Sequence, residues 1–156
     1  MSKKTKEAFT WIIGILRQHR IPFHISGGFA ANIYGSKRPL ADIDIEVPDN
    51  KISIIKDDVK GFIIYGPKRY KDERFDLLLM TLRYKGQEID ICGIDSQKLF
   101  NKKTGKWEKE SIDLSKATRK KAYGHLVPII PLKNLIRYKK KIARDVDRKD
   151  VNALSK

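Results

Sequence analysis

Two kinds of alternation run along this chain. From Lys6 to Arg20 the apolar residues Phe9, Ile12, Ile13 and Leu16 recur at helical spacing among lysines and arginines, which predicts an amphipathic helix closed by Pro22. Phe23 to Ser26 predicts a short strand, and Gly27-Gly28 turns it into a helix over Phe29–Tyr34 with Gly35 as its C-cap. In Asp42-Ile43-Asp44-Ile45-Glu46-Val47 the period falls to two, so one face of a strand carries acids and the other apolar side chains. Pro48-Asp49-Asn50 breaks that strand and caps a helix over roughly Lys51–Lys60, with Ile52, Ile55 and Val59 as its stripe.

Phe62–Tyr65 predicts another strand, followed by a basic loop over residues 66–71. Phe75–Tyr84 and Gln87–Cys92 then flank Lys85-Gly86, a hairpin signal, and in the second strand Glu88 and Asp90 share a face. Asn101–Trp107 predicts a turn-rich basic excursion whose Trp either packs it onto the body, the favoured reading, or stacks on a base. Pro131 opens a long helix with Leu132, Leu135, Ile136 and Ile142 toward the core and Lys139, Lys140 and Lys141 on the surface. Asp147 to Leu154 forms a short final helix. The expected architecture is α/β (α+β): a mixed twisted sheet, helices packed on it, and a C-terminal helical segment. The 156 residues are expected to form one domain, with a core over 5–95 and a basic segment over 96–156.

Composition adds charge to this picture. The chain is 40% apolar and 34% charged, with net charge +15, and residues 96–156 hold 18 Lys and Arg against 6 Asp and Glu. Such a field attracts triphosphates and nucleic acid alike, and equally suits a lysine-rich surface kept for solubility. No apolar run approaches the ~20 residues of a membrane-spanning helix, and the first residues have no signal-peptide core. The lone Cys92, expected as a buried strand thiol, fits a reducing cytoplasm. The three histidines form no metal site or triad, and His24 reads as a packed strand residue.

The chemistry concentrates between His24 and Val47. Ser26, Gly27 and Gly28 can present bare backbone N–H groups to a phosphate, because glycine has no Cβ to hold the ligand away. Asp42 and Asp44 would lie about 6–7 Å apart at Cα, close enough to share a hard divalent ion. Lys37 and Arg38 precede them; Arg38 suits bidentate contact with a phosphate or a pairing with a nearby Asp.

Ile25, Gly27, Gly28, Asp42, Ile43 and Asp44 together resemble the active-site signature of the DNA polymerase β-like nucleotidyltransferase superfamily. Tyr34-Gly35, Arg38 and Asp-Ile-Asp look like its minimal, single-domain members. The resemblance implies a third carboxylate at Asp90, between Ile89 and Ile91, with Glu88 in reserve. It implies metal binding by Asp42, Asp44 and Asp90, two Mg2+ ions, and triphosphate contacts from Ser26, Gly27, Gly28 and Arg38. Leu135-Ile136-Arg137-Tyr138-Lys139 matches a C-terminal stretch whose lysine contacts phosphate, which points to Lys139. Asp147 stands where that pattern has Arg. The implied reaction is transfer of NMP from a nucleoside triphosphate to a hydroxyl of RNA or tRNA, a protein or a small molecule, with release of pyrophosphate. The alternative is a weakly active nucleotide-binding regulator of antitoxin type, or a basic nucleic-acid-binding protein. A dimer mate or a partner protein could complete the acceptor site.

Overall fold

The computed structural model describes residues 2–156. The first helix, α1 (Lys3–Gln18), starts earlier than its apolar pattern because Ser2 caps it, its side chain accepting from the Thr5 N–H. Phe9, Ile12, Ile13 and Leu16 are all buried, at about 1.5–3 kcal/mol each of burial free energy. They join Ile43, Ile45, Met80, Leu82, Ile89 and Ile91 in one core.

Among the described residues nine strands form one mixed sheet. Strand β1 (His24–Ser26) pairs antiparallel with β2 (Asp42–Val47), and β2 pairs parallel with β5 (Gln87–Gly93). β3 (Ile63–Lys71), β4 (Phe75–Tyr84) and β5 form an antiparallel set, the β4–β5 turn lying at Lys85-Gly86 as the pattern predicts. The helix α2 (Gly27–Ile33) leaves β1 directly, so both glycines belong to it and it does not wait for Phe29. Tyr34 is its C-cap and Gly35, at φ +121°, is the residue after.

Three expectations are corrected. Residues 51–60 form no α-helix: a 3-10 helix runs over Asp49–Ile55, and a second short one over Lys60–Phe62. β-branched Ile52, Ile54 and Ile55 disfavour the α-helix, and Asp49 spends its side chain on the Asp95 N–H and the Ser96 hydroxyl. Ile52, Ile55 and Val59 nevertheless stay buried. The basic stretch 66–71 is the second half of β3, since irregular register across Gly66-Pro67 absorbs residues that read as breakers. Residues 101–107 belong to a hairpin of β6 (Lys98–Asn101) and β7 (Lys106–Lys109), where Trp107 packs edge-on to Phe100 of the same hairpin and remains 37% exposed.

Beyond it, β8 (Thr118–Ala122) and β9 (His125–Ile129) had no signal in the pattern, yet β9 joins the sheet beside β1. Pro131 is the N-cap of α3 (Leu132–Ile142), and α4 (Asp145–Leu154) follows a sharp turn at Ala143. Leu135 and Ile142 are buried as expected, whereas Leu132 is exposed and Lys139, expected on the surface, is 1% exposed. No helix among the described residues is long and apolar enough to cross a membrane.

Candidate active site

The alternation along β2 and the parallel register with β5 decide the geometry. Asp44 stands beside Asp90 and Asp42 beside Glu88, with Ile43, Ile45, Ile89 and Ile91 turned to the core. Asp42, Asp44 and Asp90 therefore line one cavity of about 500 Å³, together with Ser26, Gly27, Gly28 and Arg38. The two strands deliver three acids to a common wall beside the serine–glycine bend. The hydroxyl of Thr81, the register partner of Asp90 on β4, donates to the Asp90 carboxylate at 2.7 Å.

Gly27 is required twice over. Its φ of +61° suits glycine, and a Cβ there would collide with the Asp44 carboxylate. A Cβ on Gly28 would stand 2.8 Å from Nη2 of Arg38, so that glycine lets the guanidinium lie against the bend.

The acids crowd one another. Burial first, then the charges of Asp90 and Asp42, hold the Asp44 carboxyl well above the ordinary carboxylate range. Burial also pushes Asp90 up to about 6, with the charges of Asp42 and Glu88 adding to it and the Thr81 hydrogen bond opposing. Asp42 is raised by burial and Glu88. The three carboxylates repel one another, and their oxygen donors suit a hard divalent cation. No three His, Cys, Asp or Glu side chains among the described residues form a ready-made cage.

Other neighbours went unforeseen. Glu46, third on the acidic face, also lines the cavity: it accepts from the Gln97 amide at 2.9 Å and pairs with His24 Nε2 at 2.6 Å. Burial would raise its carboxyl, but these bonds hold it below the usual value. His24 is buried, as expected. Cys92, expected in the core, is half-buried and lines the cavity. Its thiol is pushed up by burial and by Asp90, Asp44 and Glu46. On the far wall the Tyr70 hydroxyl donates to Asp72, and Arg144 lies over the Phe75 ring at 5.2 Å. Alternation makes Glu46 legible in the sequence; Arg144 sits in a turn with no signal at all.

Lys139 is not at the cavity wall. Its ammonium lies 3.0 Å from Asp147 and 3.0 Å from Asp150, both fully buried. Asp150 also accepts from Arg38 through Nε at 3.1 Å and Nη2 at 2.8 Å, and from the Ser36 hydroxyl. Arg38 thus pairs with an aspartate more than a hundred residues away, and not with those on β2.

Neither a protein-family model nor a curated protein matches the sequence. Solved structures do. TM1012 of Thermotoga maritima superposes with a TM-score of 0.75 at 18% identity, over 97% of this chain and 93% of that one. The lincosamide antibiotic adenylyltransferase LnuA, solved with lincomycin, gives 0.63 at 13% identity over 96% and 95%. The antibiotic-resistance factor ANT(2″)-Ia gives 0.61 at 15% identity over 99% and 83%. At such identities the likeness is one of fold alone, the mixed sheet with packed helices of these nucleotidyltransferase structures.

Proposed function

We propose that this chain is a metal-dependent nucleotidyltransferase, moving an NMP from a nucleoside triphosphate to a hydroxyl acceptor and releasing pyrophosphate. The observation that carries the reading is the meeting of Asp42, Asp44 and Asp90 with the Ser26–Gly28 bend in one cavity. Bound there, two Mg2+ ions would neutralise the triphosphate and lower the pKa of the acceptor hydroxyl. Asp42 and Asp44 would hold them, Asp90 would complete the set and could take the hydroxyl's proton, and Ser26, Gly27, Gly28 and Arg38 would hold the phosphates. Lys139 contributes from behind, its charge opposing the rise of the Asp44 carboxyl.

Transfer of this kind is in-line displacement, so catalysis consists of positioning and charge neutralisation. The cavity wall combines six carboxylates (Asp42, Asp44, Glu46, Asp72, Glu88 and Asp90) with two guanidiniums, Arg38 and Arg144. The chain as a whole is strongly basic, with net charge +15. RNA or tRNA gains from that outer field, whereas a small cationic acceptor like the tobramycin named with ANT(2″)-Ia would gain from the inner acids. A protein acceptor, a second copy or a separate partner protein is compatible with either. The competing reading, a nucleotide-binding regulator or a basic nucleic-acid binder on the same fold, draws on the net charge of +15.

The test is a screen of all four triphosphates, labelled at the α-phosphate, against cellular RNA, protein and small molecules with magnesium. Label should transfer to one class, and Asp42→Asn should abolish it with the fold intact. Triphosphate binding without transfer would favour the regulator; undiminished transfer by Asp42→Asn would remove that residue from the chemistry.

A further inference from the structure

Five charged side chains lie in one chain behind and beside the cavity: Arg38, Asp150, Lys139, Asp147 and Arg144. Lys139, Asp147 and Asp150 are at most 1% exposed. Arg144 reaches Asp147 through Nε at 2.7 Å and Nη2 at 3.2 Å, and its backbone N–H donates to the same carboxylate. Arg38 meets Asp150 through the same two nitrogens. Each guanidinium is therefore fixed along one edge, while its Nη1 has no hydrogen-bond partner among the described residues. Both arginines line the cavity.

We propose that Lys139, Asp147 and Asp150 form a buried lock that holds Arg38 and Arg144 as a fixed pair, and that these two guanidiniums, not Lys139, receive the triphosphate. The inference rests on the nucleotidyltransferase reading. Three arguments carry it. A lysine buried between two carboxylates reaches a ligand only by abandoning both, which leaves uncompensated charges inside the protein. A guanidinium held on its Nε edge is already oriented for phosphate and loses little freedom on binding, which an unheld lysine would not match. And the lock and its two arginines together sum to one surplus positive charge, since three cations meet two anions, with both guanidiniums lining the cavity that the acids line.

The backbone is shaped for the same end. Ala143, between α3 and α4, adopts a left-handed conformation (φ 49°, ψ 41°), unusual for a residue with a Cβ. That turn sets Arg144 beside Phe75, while α4 carries Asp150 back to Arg38. Asp147 and Asp150 are thus positioning residues, acting through the arginines they hold.

Equilibrium binding to the full chain tests this, using magnesium with each of the four triphosphates and with inorganic tripolyphosphate. Arg38→Ala and Arg144→Ala should each weaken tripolyphosphate and at least one nucleotide tenfold or more. Arg38→Lys, which keeps the charge and loses the fork, should recover only part of the loss. Asp150→Asn should weaken binding with Arg38 still present. Lys139→Met should weaken binding less than Arg38→Ala does, because each arginine then retains one carboxylate in a neutral pair. The exposed neighbour Lys149→Ala should change nothing. A loss for Lys139→Met equal to that for Arg38→Ala makes Lys139 a direct ligand and overturns the lock. So does wild-type affinity in Arg144→Ala. The two arginine substitutions alter partly exposed side chains and decide the matter even where a buried variant fails to fold. Absence of any binding by the wild-type chain overturns the nucleotidyltransferase reading itself, and the lock with it.

Discussion

Asp44 and Asp90 stand side by side on neighbouring parallel strands, and folding holds both carboxyls above their ordinary range. For Asp90, raised to about 6, the linkage has a definite sign. Its contribution to stability is full below the unfolded value near 4 and is lost as pH rises through about 6. The metal-free protein should therefore lose on the order of 2–3 kcal/mol from this group across that window. Asp90→Asn should flatten that part of the melting-temperature profile, and magnesium at neutral pH should raise the melting temperature of wild type more than that of the variant. Parallel profiles for the two proteins would mean that the carboxylate is not strained by its neighbours. Gly27 is the other residue under close constraint. Gly27→Ala should cost about 1–3 kcal/mol in a denaturant titration, because the backbone there is left-handed and the new methyl meets Asp44.

Among the elements, α4 matters beyond its size. It places two carboxylates in the interior, and both belong to ion pairs that join α3, α4 and the loop after α2. Removing one member of a buried pair typically costs about 3–5 kcal/mol, so Asp150→Asn, which takes from Arg38 and Lys139 the carboxylate they share, should lower the unfolding free energy by that order in a urea titration. The lock also has a pH signature. Burial would raise the Asp150 carboxyl, but Arg38, Ser36 and Lys139 outweigh it and hold it at about 2. Its stabilisation is present above the unfolded value near 4 and disappears as pH falls toward about 2. Acid unfolding followed by circular dichroism should begin at higher pH in Arg38→Ala than in wild type; coincident curves would mean that the pair contributes nothing. The strand β3 teaches a different lesson about elements. Gly66-Pro67 reads as a loop because proline donates no hydrogen bond, yet an irregular edge strand accommodates it.

At the scale of the molecule, net charge and site charge have opposite signs. A chain of +15 encloses a cavity walled by six carboxylates. The outer field should make association with any polyanion strongly salt-dependent, while binding of magnesium at the acids should be far less so. Filter binding of RNA and calorimetric titration of magnesium, each at two salt concentrations, separate the two; equal salt slopes would place both ligands on the outer surface. Local order made much of this architecture legible: the period-two acids of β2, the hairpin at Lys85-Gly86 and the apolar stripe of α1 announce themselves because each depends on neighbours a few residues away. The segments misread or unseen, the 3-10 helix over Asp49–Ile55, β8 and β9, take their form from contacts with distant chain. Lys139 shows the same limit at one residue, since its helix position is compatible with solvent, phosphate or burial, and only Asp147 and Asp150 decide among them. The sequence by itself determined which strands alternate, which face of each carries acid, and where glycine lets the backbone come close, since these follow from backbone geometry and side-chain period. Tertiary structure alone decided that β2 and β5 lie side by side in register and that Asp150 returns to hold Arg38, because pairings across some forty and over a hundred residues are chosen by the packing of the whole core.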